Sequence, residues 1–508
     1  MVAHVTTVAL EGINAVPVDV QVQVRSGLAS FQVVGLPDGA VRESRERVQA
    51  ALHALGLALP AKRIVVNLSP ADLAKEGSHY DLPIAIGLLM ALNLLPSDAA
   101  EGGLFMGELG LDGQLRPVGG VLPAAMCGVA QGLQRVFVPT GNANEAAWAG
   151  DITVYGGASL LDFLRHLKGE QALTDTVAKP AKQGVLTGQP DFRDVKGQEG
   201  AKRAAEIAAA GGHNLLMVGP PGSGKSMIAQ RLPALLPPLT SAEALEVSMI
   251  HSISGNLPAE GLMLTRPFRD PHHSASAVSL TGGGHRATPG EISLAHRGVL
   301  FMDELPEFPR HVLETLRQPL ETGTITISRA RAHVRYPARF QLIAAMNPCP
   351  CGYLGHPATK CSDTPRQVQA YRNRLSGPLL DRIDLHIEVP PVLAVDLALP
   401  PPKEGTAEMA ARVAAARQLQ QKRYAGTAVT CNAELAGELL EAHTKLDAAS
   451  QEMLTKAATV YNLSARAYHR VLRLARTIAD LAGAADIQKN HLAEALSYRP
   501  QSGLENAA

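Results

Sequence analysis

Eight consecutive residues, Gly219-Pro220-Pro221-Gly222-Ser223-Gly224-Lys225-Ser226, have the composition of a phosphate cradle. Glycines let backbone N–H groups turn towards phosphate oxygens, and a helix N-terminus behind them adds positive potential. Lys225 is placed to reach the β- and γ-phosphates of ATP, and Ser226 to bind Mg²⁺. The apolar run Leu215-Leu216-Met217-Val218 reads as a buried strand entering the loop, with a helix following. Gly298-Val299-Leu300-Phe301-Met302-Asp303-Glu304 is a second buried strand, ending in two carboxylates. Asp303 suits water-mediated contact with the magnesium, and Glu304 suits activation of an attacking water. A third strand, Phe340 to Met346, ends in Asn347, which can orient that water. Arg382 offers a guanidinium for transition-state charge, or else a surface ion pair with Asp381 or Asp384. If it serves a neighbour's site, the protein must oligomerise.

The elements that hold these groups divide the chain. Its 508 residues suggest roughly three domains. Residues 1–168 read as mixed α/β: Val18 to Val24 alternates apolar and polar, Arg42 to Leu55 has helical spacing, Arg63 to Leu68 is a β-branched run, and Ile84 to Leu95 an apolar helix. Residues 169–190 read as a linker and 191–390 as the nucleotide module. A Pro-rich linker spans 391–405, and 406–500 is helical in pattern. The 46% hydrophobic share supports ordinary globular cores. Lys plus Arg and Asp plus Glu are both 47, so any nucleic-acid site must be a local patch. One Trp and a 4% aromatic share argue against an aromatic stacking platform for single strands. Leu82 to Leu95 is broken by Pro83, Gly87 and Asn93 and falls short of the roughly 20 residues that span a bilayer. With five cysteines and no basic-then-apolar start, the cytoplasm is the expected compartment, with no membrane partner.

One local patch stands out. Ile325 to Phe340 has four arginines, one histidine and no acid. On a strand Arg329, Arg331, His333 and Arg335 fall on one face, a positive stripe suited to phosphates, or a solvated charged face. Arg266, Arg269, His272, His273, His285 and Arg286 mark a second candidate, in a loop rich in glycine and serine. Cys349, Cys351 and Cys361 lie within thirteen residues, with His356 between them. Three thiolates and an imidazole could close a tetrahedral zinc site; the alternative is three reduced thiols. Cys127 and Cys431 read as small hydrophobes.

Arg266-Pro267-Phe268-Arg269-Asp270-Pro271-His272-His273, Thr281-Gly282-Gly283-Gly284, Pro289-Gly290-Glu291-Ile292-Ser293-Leu294-Ala295-His296 and Asn347-Pro348-Cys349-Pro350-Cys351-Gly352 resemble the ComM/YifB family of bacterial magnesium-chelatase-like AAA+ proteins. The resemblance covers nearly the whole chain. It implies an α/β multidomain protein: an N-terminal domain folded like the Lon protease domain, an AAA+ core and a C-terminal helical lid. It also implies a homo-hexameric ATP-driven DNA helicase, promoting branch migration in natural transformation, on single-stranded and branched DNA and beside recombinase machinery. Lys225, Asp303, Glu304 and Asn347 match the family's ATPase motifs, and Arg382 its arginine-finger position. Arg466 resembles the lid's sensor-2 arginine, with Arg470 the runner-up. In the closest helicase branch a hairpin before sensor 1 enters the central channel, which favours DNA for the stripe. The family pattern has a second Cys-x-Cys near Cys361, and this chain has Asp363 at the fourth place.

Two other readings follow from the same resemblance. A Lon-like protease needs a Ser–Lys dyad, but Asp81 stands near the nucleophile position and no Lys follows Gly119-Gly120. A metal-chelatase ATPase subunit shares the AAA+ module; the fused N-terminal domain and the arginine segment favour the helicase.

Overall fold

The computed structural model describes residues 2–178, 190–284, 287–328, 333–392, 398, 400, 402 and 404–499. The strands of the first domain are Val2–Glu11 (β1), Asn14–Arg25 (β2), Ser30–Val34 (β3), Arg63–Ser69 (β4), Gly103–Phe105 (β5), Glu108–Leu109 (β6), Leu115–Arg116 (β7), Arg135–Pro139 (β8) and Thr153–Gly157 (β9). Alternation builds its main sheet. Val18, Val20 and Val22 of β2 are fully buried between part-exposed Asp19, Gln21 and Gln23, and Val20 faces Val5 of β1. The sheet has seven strands in the order β3-β4-β2-β1-β5-β8-β9. The helix Asp81–Ala91, buried from Asp81 to Met90, packs on β1 and β2. It starts three residues before the expected Ile84, because Pro83 sits in the first turn, where a missing N–H costs no helical bond. Asn93 at φ +57° stops it short of the expected Leu95. Gly87 lets the helix approach: a Cβ there would lie 2.6 Å from Val22 Cγ2. Asp81 is fully buried and takes bonds from Arg47 Nε at 2.6 Å and Leu109 N at 3.1 Å, so its carboxylate is committed to holding the fold.

The second module carries Leu215–Val218 (β10), Phe268–Arg269 (β11), Gly282–Gly283 (β12), Thr288–Pro289 (β13), Val299–Met302 (β14), Thr324–Ser328 (β15), His333–Pro337 (β16), Gln341–Met346 (β17) and Leu385–Glu388 (β18). Five of them form a parallel sheet in the order β11-β14-β17-β10-β18. Its β10, β14 and β17 are near-continuous apolar runs, as strands covered on both faces must be. The helices Thr406–Arg423, Ala448–Val460, Ala465–Leu481 and Lys489–Ser497 share one core with this sheet through the alanine-rich helix Glu199–Gly211. The first domain is fastened to the second by a buried bond from Ser252 Oγ to Glu145 at 2.6 Å, and by Gly120 N donating to Ser252 O at 3.0 Å. Among the described residues no helix is long and apolar enough to cross a membrane.

Burial holds the imidazoles of His213, His251, His296 and His386 below the ordinary histidine range, His386 at about 3. Unfolding returns them to about 6.5, so below that pH the unfolded chain binds more protons than the folded one. Their contribution is therefore complete above pH about 6.5 and is lost as pH falls, for His386 down to about 3. Buried Asp81 and Glu145, held above the carboxylate range by burial, act in the opposite sense at lower pH. The expected result is a fall in melting temperature between pH 7 and 5 that is shallower in His386→Gln than in the parent chain. Parallel slopes in thermal unfolding would contradict it.

Candidate nucleotide site

The register of the parallel sheet brings separate segments to one edge. Val218 pairs with Met346 on one side and Glu388 on the other, so the loop after β10 and the residue after β17 emerge together. Gly219 N donates to Met346 O at 3.1 Å. A Cβ on Gly219 would lie 2.1 Å from Val389 O, so only glycine fits this approach. Gly222 and Gly224 adopt φ of +75° and +90°, turning the chain into the helix Lys225–Arg231.

Lys225 is buried, and its Nζ donates to Gly219 O at 2.7 Å, Pro220 O at 2.9 Å and Asn347 Oδ1 at 3.3 Å. Burial pushes its ammonium below the usual lysine range, against the opposing charges of Asp303 and Glu304. Ser226 Oγ donates to Asp303 Oδ2 at 2.7 Å, across the gap between β10 and β14. A hydroxyl and a carboxylate this close, with a lysine beside them, suit a hydrated Mg²⁺ carried on a triphosphate. Glu304 lies at φ +50°, ψ +47°, with its N–H donating to Asp303 Oδ1 at 2.9 Å. Its Oε2 is 3.4 Å from His273 Nδ1. That contact escaped the sequence, because nothing in a loop histidine's spacing announces a partner so far along the chain. Asp270 joins the same acidic group; burial, then the charge of Asp303, raise its carboxyl.

The arginines divide. Arg382 bonds Pro378 O and pairs with Glu321 of its own chain, rather than Asp381 or Asp384. Burial, then the charge of nearby Arg466, push its guanidinium below the usual arginine range. Arg466, in the first turn of Ala465–Leu481, is exposed. Arg470 is buried and donates to Ile383 O at 2.8 Å, which leaves Arg466 as the more accessible of the two.

The basic segment is a hairpin rather than one continuous strand. β15 pairs antiparallel with β16, Thr326 opposite Arg335. Arg335 is exposed between buried Val334 and Tyr336, and the backbone of His333 pairs with Ser328. Arg329 and Arg331 lie outside the described residues, as do His285 and Arg286. In the second basic candidate, two of the arginines have partners within the module. Arg266 donates to Pro237 O and Arg297 O, both at 2.7 Å, and Arg269 grips Glu291 at 2.6 and 2.8 Å. Both guanidinia are tied into the module, Arg266 mostly buried and Arg269 part-exposed.

The cysteine cluster is corrected in its fourth member. The Sγ atoms of Cys349, Cys351 and Cys361 lie 3.4, 3.5 and 3.6 Å from one another. Asp363 joins them, its Oδ2 3.8 Å from Cys361 Sγ. His356 does not: its Nδ1 accepts from Ala358 N at 3.2 Å and Thr359 N at 3.0 Å, which turns the ring into its own loop. The sequence signal was the repeat of Cys349-x-Cys351 as Cys361-x-Asp363, which aligns Asp363 with a ligand position.

Comparison with known proteins agrees with this arrangement. Family models match in three stretches: magnesium chelatase, subunit ChlI, over residues 191–397; subunit ChlI of Mg-chelatase over 20–142; and magnesium chelatase, subunit ChlI C-terminal, over 403–499. The chain is 46% identical to the competence protein ComM of Haemophilus influenzae over 492 residues, which is 96% of this chain and 95% of that one. It is 44% identical to the uncharacterized protein YifB of Escherichia coli over 501 residues, 97% and 96% of the two chains. A magnesium-chelatase 38 kDa subunit of Rhodobacter capsulatus is 29% identical over 197 residues, 35% of this chain and 56% of that one.

Lys225 lies in the loop after β10 and Glu304 after β14, so the two expected roles can be tested apart. Lys225→Ala is expected to weaken nucleotide binding, whereas Glu304→Gln keeps binding and loses roughly 100-fold or more in turnover. His273→Ala removes a partner of Glu304 but no reacting group, so its change in turnover should be smaller than that of Glu304→Gln. Steady-state hydrolysis and nucleotide affinity check all three; near-normal turnover in Glu304→Gln would remove Glu304 from the chemistry.

Proposed function

Since the chain belongs to the ComM/YifB family of magnesium-chelatase-like AAA+ proteins, we propose that it is an ATPase that assembles as a ring, a homo-hexamer, and moves DNA. The observation that carries the ATPase reading is the 2.7 Å contact of Ser226 with Asp303, beside Lys225 and Asn347. In this reading Lys225 holds the β- and γ-phosphates, while Ser226 and Asp303 hold the magnesium. The bound magnesium would draw negative charge from the phosphate oxygens. Glu304 accepts the proton of the attacking water, and Asn347 orients that water. Arg382, with Arg466 beside it, supplies positive charge to a neighbouring subunit's nucleotide. Its pair with Glu321 joins a mostly buried guanidinium to a half-exposed carboxylate. On assembly a neighbour's phosphate would take the place of that carboxylate, so the guanidinium keeps a negative partner.

The work we propose is branch migration of recombination intermediates during natural transformation, on single-stranded and branched DNA. The support is twofold: the Haemophilus relative is named for competence, and this neutral chain concentrates four arginines without an acid in Ile325 to Phe340. Exposed Arg335 fits a phosphate contact, and the β15–β16 hairpin is braced by the first domain, where Gly12 leaves room for it; a Cβ there would lie 3.0 Å from Arg335 O. A metal-chelatase ATPase is the second reading, favoured by the match to the 38 kDa subunit. Which ligand raises ATP turnover separates the two: DNA, or chelatase partner subunits with porphyrin.

Two results are expected. Replacing Arg329, Arg331 and Arg335 with Ala should leave folding and basal hydrolysis intact and weaken DNA binding. Each phosphate contact removed should flatten the log affinity–log salt slope by about 0.7–0.9. An unchanged slope with intact strand displacement would move DNA elsewhere. Inactive Arg382→Ala and Lys225→Ala subunits, once mixed, should regain hydrolysis, because each supplies what the other lacks. Failure to complement, together with a rate independent of protein concentration, would argue against a shared site.

A further inference from the structure

Three thiols and a carboxylate converge in the loop that follows Asn347, and the nucleotide chemistry uses none of them. The three sulfurs form a nearly equilateral triangle with edges of 3.4–3.6 Å. Zn–S bonds of about 2.3 Å in a tetrahedron place sulfurs about 3.8 Å apart, close to this triangle. A disulfide would instead draw two sulfurs to about 2.05 Å and leave the third alone. All four ligand atoms lie within 4.8 Å of one another, which leaves room for one ion rather than a polynuclear cluster. Backbone donors orient the set: Leu354 N–H donates to Cys349 Sγ at 3.3 Å, and Cys351 N–H to Asp363 Oδ2 at 2.8 Å. Sulfur-rich tetrahedral sets take zinc or iron–sulfur clusters, and room for a single ion with a carboxylate as fourth ligand favours zinc.

The loop is also pressed against the phosphate cradle. Gly352, at φ +85°, closes the turn after Cys351, and a Cβ there would lie 2.7 Å from Pro221 Cδ and 3.8 Å from Asn347 Cγ. After Asp363, Thr364 caps the helix Pro365–Arg372. Just beyond it, Arg374 Nη1 donates to Pro306 O at 3.1 Å and to Glu307 at 2.8 Å, in the turn that follows Glu304. The loop thus joins Asn347 to Pro221, and the helix that leaves it carries the chain to the Glu304 turn.

We propose that Cys349, Cys351, Cys361 and Asp363 bind one zinc ion, which clasps the loop after Asn347 onto Pro221 of the phosphate cradle. The zinc itself does not depend on the ATPase reading; only its effect on nucleotide affinity does. The experiment is elemental analysis of the full chain purified under reducing conditions, followed by metal release with a reversible mercurial, removal of the mercurial with excess low-molecular-weight thiol, and refilling of the stripped protein with Co²⁺. Expected are about one zinc per chain, a tetrahedral thiolate spectrum with Co²⁺, and at least tenfold weaker zinc retention against a chelator in Asp363→Ala. Asp363→Cys should restore retention, and His356→Ala should keep it. Stripping should lower the melting temperature and weaken nucleotide binding several-fold, with faster amide exchange at residues 347–353. Absence of zinc together with no tetrahedral Co²⁺ spectrum would overturn the site. Loss of zinc in His356→Ala but not in Asp363→Ala would overturn the ligand set. Full zinc occupancy with amide exchange at 347–353 unchanged by stripping would overturn the clasp. Because the Co²⁺ spectrum is read on the parent chain, a variant that fails to fold does not decide the matter.

Discussion

The alignment of three parallel strands governs everything else in the second module. Val218 of β10 is locked between Met346 of β17 and Glu388 of β18. Parallel pairing lets only the strand ends differ in chemistry, because their interiors are sealed by helices on both faces. A one-residue slip of β17 would point the wrong side chains at both layers and carry Asn347 away from Lys225. The 3.3 Å contact between those two side chains is thus a consequence of sheet register, and so is the placing of Asp303, whose strand β14 pairs on the far side of β17.

Charge is distributed by the same economy. Lys and Arg balance Asp and Glu across the chain, and many arginines are consumed in internal joints. Arg203 pairs with Glu494 at 2.8 Å, Arg423 with Asp480 at 2.5 Å, and Arg269 with Glu291 at 2.6 Å. These joints hold helices together and offer little to a polyanion. A guanidinium is available to a phosphate only where the fold leaves it without a carboxylate of its own, and Arg335 is exposed in a stretch with no acid beside it in sequence.

How much was legible follows from the range of each interaction. The phosphate loop, the two carboxylates after a buried strand and the valine alternation of β2 are local patterns, and each sits where its spacing put it. The helix at Asp81 was displaced by three residues because proline is disruptive inside a helix but not in its first turn. Partner choice was less legible. Arg266 and Arg269 look like surface charge until Glu243 and Glu291 arrive from other segments. His356 looks like a ligand by type, yet two backbone N–H groups within three residues compete for its ring nitrogen, and the local bonds win. Asp363 has the weaker ligand type but the right position, and in a short loop position decides.

The helical C-terminal part is bound to the arginine surface by buried bonds. Asp384, two residues after Arg382, lies 3.2 Å from His213 Nδ1, and His213 Nε2 lies 2.7 Å from Thr477 Oγ1. Thr477 and Arg466 ride on the same helix, Ala465–Leu481, and Arg470 of that helix donates to Ile383 O between Arg382 and Asp384. Burial opposes charge on Asp384, but the His213 bond and the charges of Arg473 and Arg470 outweigh it and hold the carboxyl at about 2. Bonds to charged groups contribute about 1.5–3 kcal/mol each, and leaving one partner buried alone costs more. Separating the helix from the Arg382 turn would break the Arg470 bond to Ile383 O and the Arg473–Asp384 pair at 3.7 Å, as well as the His213–Thr477 bond. Arg382 and Arg466 are thereby held to one scaffold, the turn after Pro378 and the helix Ala465–Leu481, joined by Arg470 to Ile383 O and through His213.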